Sequence, residues 1–190
     1  MLITTERLVL RDWRDSDLPA WAAMNADPAV REYLGPVLTP EQAAASVRNF
    51  QSDLDRNGFG LWAAEVRDTG EFIGFTGLDR VDDGLPVTGI EAGWRLARSA
   101  WGHGYATEAA RAVLAYGFET LGLAEILAIT AAGNLRSQAV MRRLGMTTDS
   151  ADDHDDPDAP EGPYRRQVVY RVSREAWAGG AVAPGPPTGR

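Results

Sequence analysis

A turn that contains two glycines precedes a long amphipathic helix near the middle of the chain. Gly102 and Gly104 flank His103, and the helical pattern begins at Tyr105. Backbone N–H groups are free at a helix N-terminus, and the helix dipole attracts negative charge there. Glycine permits the positive φ values and the close backbone approach that a phosphate cradle needs. The stretch therefore predicts an anion-binding site, with an ordinary tight turn as the alternative.

Two common nucleotide-binding motifs do not match this turn. The dinucleotide fingerprint requires a third glycine, and Thr107 stands at that position. A P-loop requires a lysine, but all 19 basic residues of the chain are arginine. Both kinds of nucleotide site are excluded.

The stretch that begins at Trp101 resembles the acyl-CoA pyrophosphate loop of GNAT-type N-acetyltransferases, and most resembles the RimJ/RimL branch of ribosomal-protein N-terminal acetyltransferases. The family pattern is Gln/Arg-x-x-Gly-x-Gly/Ala. Trp101 stands at its first position, as is common in this branch, and Gly104 and Ala106 match. Residues 134–146 resemble the family's Asn-x-x-Ser and Leu-Gly-Phe segments in the expected order and separation. The resemblance covers roughly residues 5–177.

This resemblance implies an α/β GNAT acyl-CoA N-acyltransferase fold, with a mixed, mostly antiparallel sheet flanked by helices. It implies that the strands at Thr88 and Ala124 splay apart and that acyl-pantetheine lies between them, bonded to backbone like an added strand. Acetyl-CoA would be the acyl-donor co-substrate and an amine the acceptor, without a metal. A homodimer is compatible with the family.

The implied reaction has three chemical needs. The attacking amine must lose a proton, the tetrahedral oxyanion needs donors, and the departing thiolate benefits from an acid. Glu91, on the strand beside the expected acyl group, is the candidate base; a solvent-facing or salt-bridged carboxylate is the alternative. Ser137 matches the family's helix residue near the CoA sulfur, and helix capping is its alternative. Asn134 would orient pantetheine or cap that helix, and a backbone N–H of residues 93–96 would stabilise the oxyanion.

The cofactor-binding candidates occupy the end of one strand, the glycine turn with the first helical turn, and the downstream helix. They are Leu96, Arg98, Trp101, Gly102, His103, Gly104, Tyr105, Ala106, Thr107, Asn134, Ser137 and Arg143, with Arg136 and Arg142 as further phosphate partners. Each arginine could equally be a surface residue. The side chain of His103 is expected to face outward, so it receives no catalytic role.

The elements that must position these residues are predominantly strands in the first half and strand–helix units in the second, which predicts an α/β domain. Thr39, Pro40 and Gln42 form a helix start with a capping box. Gly74 and Gly77 lie inside a predicted strand and indicate bulges or close backbone approach. The predicted strands are 2–13, 59–66, 71–79, 88–96, 124–130 and 164–172, and the main helices are 18–25, 40–56, 105–121 and 134–144.

The sequence also predicts the structure of three further segments. Trp21, Met24 and Tyr33 lie on the predicted wall of the acceptor site, where a core role is favoured over substrate contact. Residues 149–162 are acidic and Pro-rich; they lack the Gly and closing Glu of an EF-hand, which favours a solvated loop. A single domain is expected over residues 1–178, followed by a disordered Gly/Pro-rich tail over 179–190.

Composition limits the class of protein. The length suits one domain with a sizeable core. A net charge of −8 argues against a nucleic-acid-binding surface. The chain has no cysteine, which excludes disulfides, thiolate metal sites and a cysteine nucleophile. Neither an apolar run long enough to span a membrane nor a signal-peptide pattern is present, so a cytoplasmic protein is expected.

The nature of the acceptor rests on amine chemistry. An α-amine, with a pKa of about 7.7–8.0, is partly neutral at physiological pH, whereas a lysine-type amine near 10.4 needs more help. This favours a peptide or protein N-terminus. Small amines, polyamines and aminoglycoside-like antibiotics stay open, as does a non-catalytic acyl-CoA-binding module.

Overall fold

The computed structural model describes residues 2–157, 159 and 161–180. Its strands are β1 (Ile3–Thr4), β2 (Leu8–Arg11), β3 (Leu61–Val66), β4 (Phe72–Arg80), β5 (Ile90–Leu96), β6 (Glu125–Ala131), β7 (Thr147–Thr148), β8 (His154–Asp155) and β9 (Arg166–Ser173). Its α-helices are α1 (Leu18–Asn25), α2 (Pro28–Arg31), α3 (Pro40–Asn57), α4 (Tyr105–Ala115), α5 (Leu135–Arg143) and α6 (Arg174–Gly179). None of these helices is both long and apolar enough to cross a bilayer.

The strands form one mixed sheet in the order β1-β2-β3-β4-β5-β6-β9-β7, with β8 also paired to β9. Neighbouring strands are antiparallel except β5 and β6, which are parallel. Within the described residues this parallel pair has a single register contact, between Glu91 and Leu127. Beyond it the two strands diverge and leave a groove. The sheet is the mixed, mostly antiparallel one that was predicted.

Helices cover both faces of the sheet. On one face, Trp13, Trp21, Phe50 and Phe75 pack with ring centroids 5.3–5.9 Å apart beneath α1 and α3. Aromatic pairs of this kind contribute about 0.5–1.5 kcal/mol each beyond their buried area. On the opposite face, α4 buries its apolar side against the sheet. It contributes Ala109, Ala110, Val113 and Leu114 to the core.

Local sequence explains how α3 begins and ends. The Thr39 hydroxyl accepts from the Gln42 N–H at 3.3 Å, and the Gln42 side chain accepts from the Thr39 N–H at 2.8 Å. Pro40 occupies the first helical position, and Gly58 ends the helix with φ +74°. The predicted capping box is therefore confirmed.

Close backbone approach, predicted from two strand glycines, is also confirmed. A Cβ at Gly77 would lie 1.9 Å from the Gly60 carbonyl oxygen, and one at Gly74 would lie 2.1 Å from that of Arg95. Real side-chain carbons do not approach backbone so closely. Any larger residue at these positions would push β3 or β5 away from β4.

Four sequence predictions need correction. The strand predicted over 2–13 is split into β1 and β2. The helix from residue 105 keeps α-helical form only to residue 115 and continues as a π-helical turn to residue 120. The core assignment holds for Trp21 and Met24, which are buried, but it is wrong for Tyr33. Because α2 has only four residues, Tyr33 lies in the loop after it, and its ring is 3.0 Å from where a Cβ of Gly133 would be.

The fourth correction concerns the acidic segment over 149–162, which is not simply a solvated loop. It contains β8, and His154 is buried. Asp152 forms an ion pair of 2.7 Å with Arg171. Asp155 pairs with Arg166 at 3.4 Å. The aspartates thus bind the arginines of β9, which the local pattern could not reveal. Of the predicted tail, Gly179 ends α6, and residues 181–190 lie outside the described part of the chain.

Candidate functional site

The glycine turn forms one end of a cavity of about 1300 Å³ between β5, β6, α4 and α5. Gly102 and Gly104 both have φ +80°, and Gly104 is the N-cap of α4. The N–H groups of Tyr105, Ala106 and Thr107, all of which line the cavity, have no acceptor one turn earlier in the helix. The positive end of the helix dipole adds to them. This end of the cavity can therefore hold a phosphate or pyrophosphate.

Thr5 and Arg7, in the N-terminal segment, form a brace with Glu108 of α4 that holds the glycine turn in place. Arg7 donates from Nη1 to the His103 carbonyl oxygen at 2.9 Å, and its guanidinium lies 4.8 Å from the centre of the Tyr105 ring. The Glu108 carboxylate accepts from Arg7 Nε at 2.7 Å and from the Thr5 hydroxyl at 2.6 Å. Burial raises the pKa of Glu108, but these hydrogen bonds outweigh it and hold that pKa below its ordinary value. Arg7 thus neutralises a carboxylate beside the anion site.

Replacing Arg7 with methionine is expected to raise the Kd for acetyl-CoA about fivefold to tenfold, because Glu108 then stands unneutralised beside the pyrophosphate. Titration calorimetry on the variant and the wild type measures this. The double variant Arg7→Met, Glu108→Gln serves as the control and should recover part of the affinity, since it removes the exposed charge. An unchanged Kd in the single variant would show that the brace has no electrostatic role.

Trp101 ties the turn to the end of β5. Its indole N–H donates to the Leu96 carbonyl oxygen at 2.9 Å, and the Arg136 guanidinium lies 4.4 Å from the centre of its ring. Arg136 also forms an ion pair of 2.9 Å with Glu32, in the loop after α2. The wall of the cavity therefore connects α5 to the α2 loop through one arginine.

The predicted arginines fall into two groups. Arg143 and Arg136 line the cavity; Arg98 does not, and neither does His103. Arg142 donates to the Tyr170 hydroxyl at 3.0 Å, which is a structural contact. Arg111, two turns into α4, lines the cavity and was missed from the sequence.

Asn134 and Ser137 form one hydrogen-bonded unit at the start of α5. The Asn134 side-chain oxygen accepts from the Ser137 N–H at 3.2 Å, so Asn134 is the helix cap. Its amide nitrogen donates to the Ser137 hydroxyl oxygen at 3.0 Å and to that of Thr130 at 3.0 Å. Both residues line the cavity. Because its oxygen accepts from Asn134, the Ser137 hydroxyl keeps its proton to donate elsewhere.

Glu91 lies at the point where β5 and β6 begin to diverge, and it lines the same cavity. Among the described residues its carboxylate has no hydrogen bond and no ion pair, so the salt-bridged alternative does not hold. Burial, together with the neighbouring carboxylates of Asp79 and Asp82, raises its pKa to about 7. A carboxylate with this pKa can exchange protons near neutral pH.

This shift has a consequence for stability. The folded-state pKa of Glu91 lies above its ordinary value of 4.5, so the unfolded chain ionises first as the pH rises, and stability falls between about pH 4.5 and 7. Glu91→Gln removes that loss. We therefore compare the unfolding free energies of the two proteins at two pH values. The difference, variant minus wild type, should be about 2 kcal/mol larger at roughly pH 8.5 than at pH 5.5. Urea denaturation at both pH values measures it, and a pH-independent difference would contradict the raised pKa.

Comparisons with known proteins identify the family. A family model described as "Acetyltransferase (GNAT) domain" matches residues 7–147. The chain belongs to the GNAT acetyltransferase family. Its sheet and flanking helices are the GNAT fold, and the protein is an N-acetyltransferase enzyme that depends on acetyl-CoA.

Individual GNAT relatives are similar over most of the chain. An acetyltransferase structure from Agrobacterium tumefaciens is 30% identical, with a TM-score of 0.73 over 90% of this chain and 94% of that one. The RimL ribosomal L7/L12 α-N-protein acetyltransferase in complex with coenzyme A has a TM-score of 0.74 over 93% and 99% of the two chains; at 16% identity it shows the fold alone.

A curated relative shares sequence over a shorter stretch. The FsC-acetyl coenzyme A-N(2)-transacetylase of Aspergillus fumigatus is 36% identical over 127 residues, which cover 63% of this chain. The chain spans about half the length of that fungal enzyme, 52%.

Proposed function

We propose that the protein acetylates a primary amine by direct attack on acetyl-CoA, and that the acceptor is an α-amine, as at the N-terminus of a peptide or protein. One observation carries the proposal. A single cavity joins the free N–H groups of α4 to Glu91, a carboxylate without a partner among the described residues. Because the chain has no cysteine to carry the acetyl group, direct attack is favoured over a thioester intermediate on the protein.

Each part of the cavity has a proposed task. The first turn of α4 binds the pyrophosphate, with Arg111 and Arg143 as further phosphate partners. The backbone of β5, free on the side where β6 diverges, bonds pantetheine as an added strand and offers an N–H to the oxyanion. Glu91 accepts the proton of the amine, directly or through a water, and Ser137 donates to the departing thiolate.

The basicity of Glu91 supports an α-amine as acceptor. At pH 7, removing the proton from a lysine-type ammonium costs about 4.6 kcal/mol, whereas an α-ammonium costs about 1 kcal/mol. A base with a pKa of about 7 suits the second task far better than the first.

The test is CoA release, followed with a thiol reagent, from acetyl-CoA and a panel of peptides, amino acids, polyamines and aminoglycosides. The protein contributes no thiol background because it lacks cysteine. We expect release with acceptors that carry a free α-amine and none with the same acceptors after N-terminal blocking. Release only with polyamines or aminoglycosides would replace the α-amine proposal by a small-amine acetyltransferase.

A further inference from the structure

Arg95 is a charged residue in the cavity that the proposed chemistry does not use. Glu91, Gly93 and Arg95 alternate along β5, so they share one face of the sheet. This is the face that α1 and α3 cover. The guanidinium of Arg95 lies 5.4 Å from the centre of the Trp21 ring and 5.3 Å from that of Phe75. Arg95 lines the same cavity as Glu91.

Arg95 has no anionic partner within the described residues. Its Nη1 donates to the Asn25 side-chain oxygen at 2.8 Å, and its buried Nε has no hydrogen-bond partner. Burial, together with the neighbouring charge of Arg31, lowers its pKa to about 9. Arg31 itself binds backbone oxygens, those of Leu34 and Pro36. The two arginines therefore make this end of the cavity positive.

Arg11, which is buried, shows how the same chain satisfies a structural guanidinium. Arg11 forms ion pairs of 2.7 Å with both Asp17 and Glu65. A buried charge without such partners is costly to the fold. The contrast leaves Arg95, among the described residues, free to bind an anion that enters the cavity.

The polarity of the cavity gives an orientation for the acceptor. At one end of the β5 wall of the cavity stands Glu91, on which the nearby charges of Asp79 and Asp82 act, and this end is therefore negative. The other end holds Arg95, about 13 Å further along the strand between Cα atoms. Gly93, which lies between them, has no side chain, so the surface of the cavity is open there. An ammonium group is attracted to the first end and an anion to the second.

We propose that Arg95 binds a carboxylate of the acceptor and so selects amines that carry a carboxylate a few bonds away. This inference rests on the proposed acetyl transfer to an α-amine and names the acceptor class for it. The planar fork of the guanidinium matches a carboxylate in two parallel hydrogen bonds. The carboxylate has two possible sources, the α-carboxylate of a free amino acid or the side chain of an acidic N-terminal residue in a peptide.

Matched acceptor pairs test the inference. L-phenylalanine is compared with L-phenylalaninamide, and a peptide amide that begins with glutamate with one that begins with glutamine. For the pair whose carboxylate Arg95 binds, we expect a kcat/KM at least about tenfold higher with the acid than with the amide, after correction for the neutral fraction of each amine. A preference in the first pair identifies a free amino acid, and one in the second pair an acidic peptide N-terminus.

The variant Arg95→Gln should abolish that preference by raising the KM for the acid, while kcat/KM for the amide changes less than about threefold. Arg48→Gln, which alters an exposed arginine of α3, is the matched control and should keep the preference. Wild-type turnover that is equal for acid and amide in both pairs would overturn the inference, whether or not the variant folds. If none of the acceptors that carry a free α-amine gives CoA release, the proposed function itself is overturned.

Discussion

Replacing Gly104 with valine is expected to weaken acetyl-CoA binding at least about 100-fold while the domain stays folded. Gly104 has φ +80°, a conformation that a β-branched residue does not tolerate. The backbone would have to rotate, and the N–H groups of α4 would lose their common direction. A side chain would also reach toward Arg7, whose Nη2 lies 3.5 Å from the Cβ position.

The control for this variant is Gly70→Val in the turn between β3 and β4. Gly70 has φ +72° and, like Gly104, is strained by any side chain, but it lies outside the cavity. Calorimetric titration with acetyl-CoA and circular dichroism of both variants separate the two effects. If Gly104→Val binds as tightly as wild type, the pyrophosphate does not sit at the N-terminus of α4.

Glu91→Gln is expected to lower kcat about 100-fold to 1000-fold with little change in the KM for acetyl-CoA. Glutamine keeps the shape of the side chain but cannot accept the proton of the amine. With a base of pKa about 7, the wild-type rate should fall as the pH drops below neutrality, because protonated Glu91 is inactive. After correction for the neutral fraction of the amine, whose own pKa is about 7.7–8.0, the variant should lose this limb of the profile.

Asp82→Asn is the matched companion to that variant. Because the Asp82 charge raises the pKa of Glu91, its removal should move the acidic limb of the pH–rate profile to lower pH and leave the plateau rate intact. Steady-state rates across the neutral range, corrected for the neutral fraction of the amine, measure both effects. If the acidic limb of the pH–rate profile does not move in Asp82→Asn and is still present in Glu91→Gln, the base is another group.

Local patterns sufficed for the parts of the site that are contiguous in sequence. The Gly102–Gly104 turn, the first helical turn after it and the Asn134–Ser137 pair are read from neighbours within a few residues, since capping and positive φ are local properties. Glu91 was predicted as the base because the GNAT resemblance places an acyl group beside its strand. Its raised pKa depends on burial in the folded sheet and, to a lesser extent, on the charges of Asp79 and Asp82, neither of which local sequence shows.

Long-range contacts account for what the sequence did not reveal. Arg7 and Glu108 are 101 residues apart, and the local sequence around neither residue predicts that the two pair. Arg95 resembles any strand arginine until the fold shows that Arg11 has carboxylate partners and that Arg95 has none in the part of the chain that the structure describes. Asp152 and Asp155 were predicted to be solvated because their arginine partners lie on β9, further along the chain.

A crystal structure of the protein with acetyl-CoA is the measurement that tests the central claim most directly. We expect the pyrophosphate within hydrogen-bond distance of the N–H groups of residues 105–107. The thioester should lie between β5 and β6, close enough to Glu91 for one bridging water, or about 6 Å. A pyrophosphate bound away from α4, or a thioester that Glu91 cannot reach, would contradict the account.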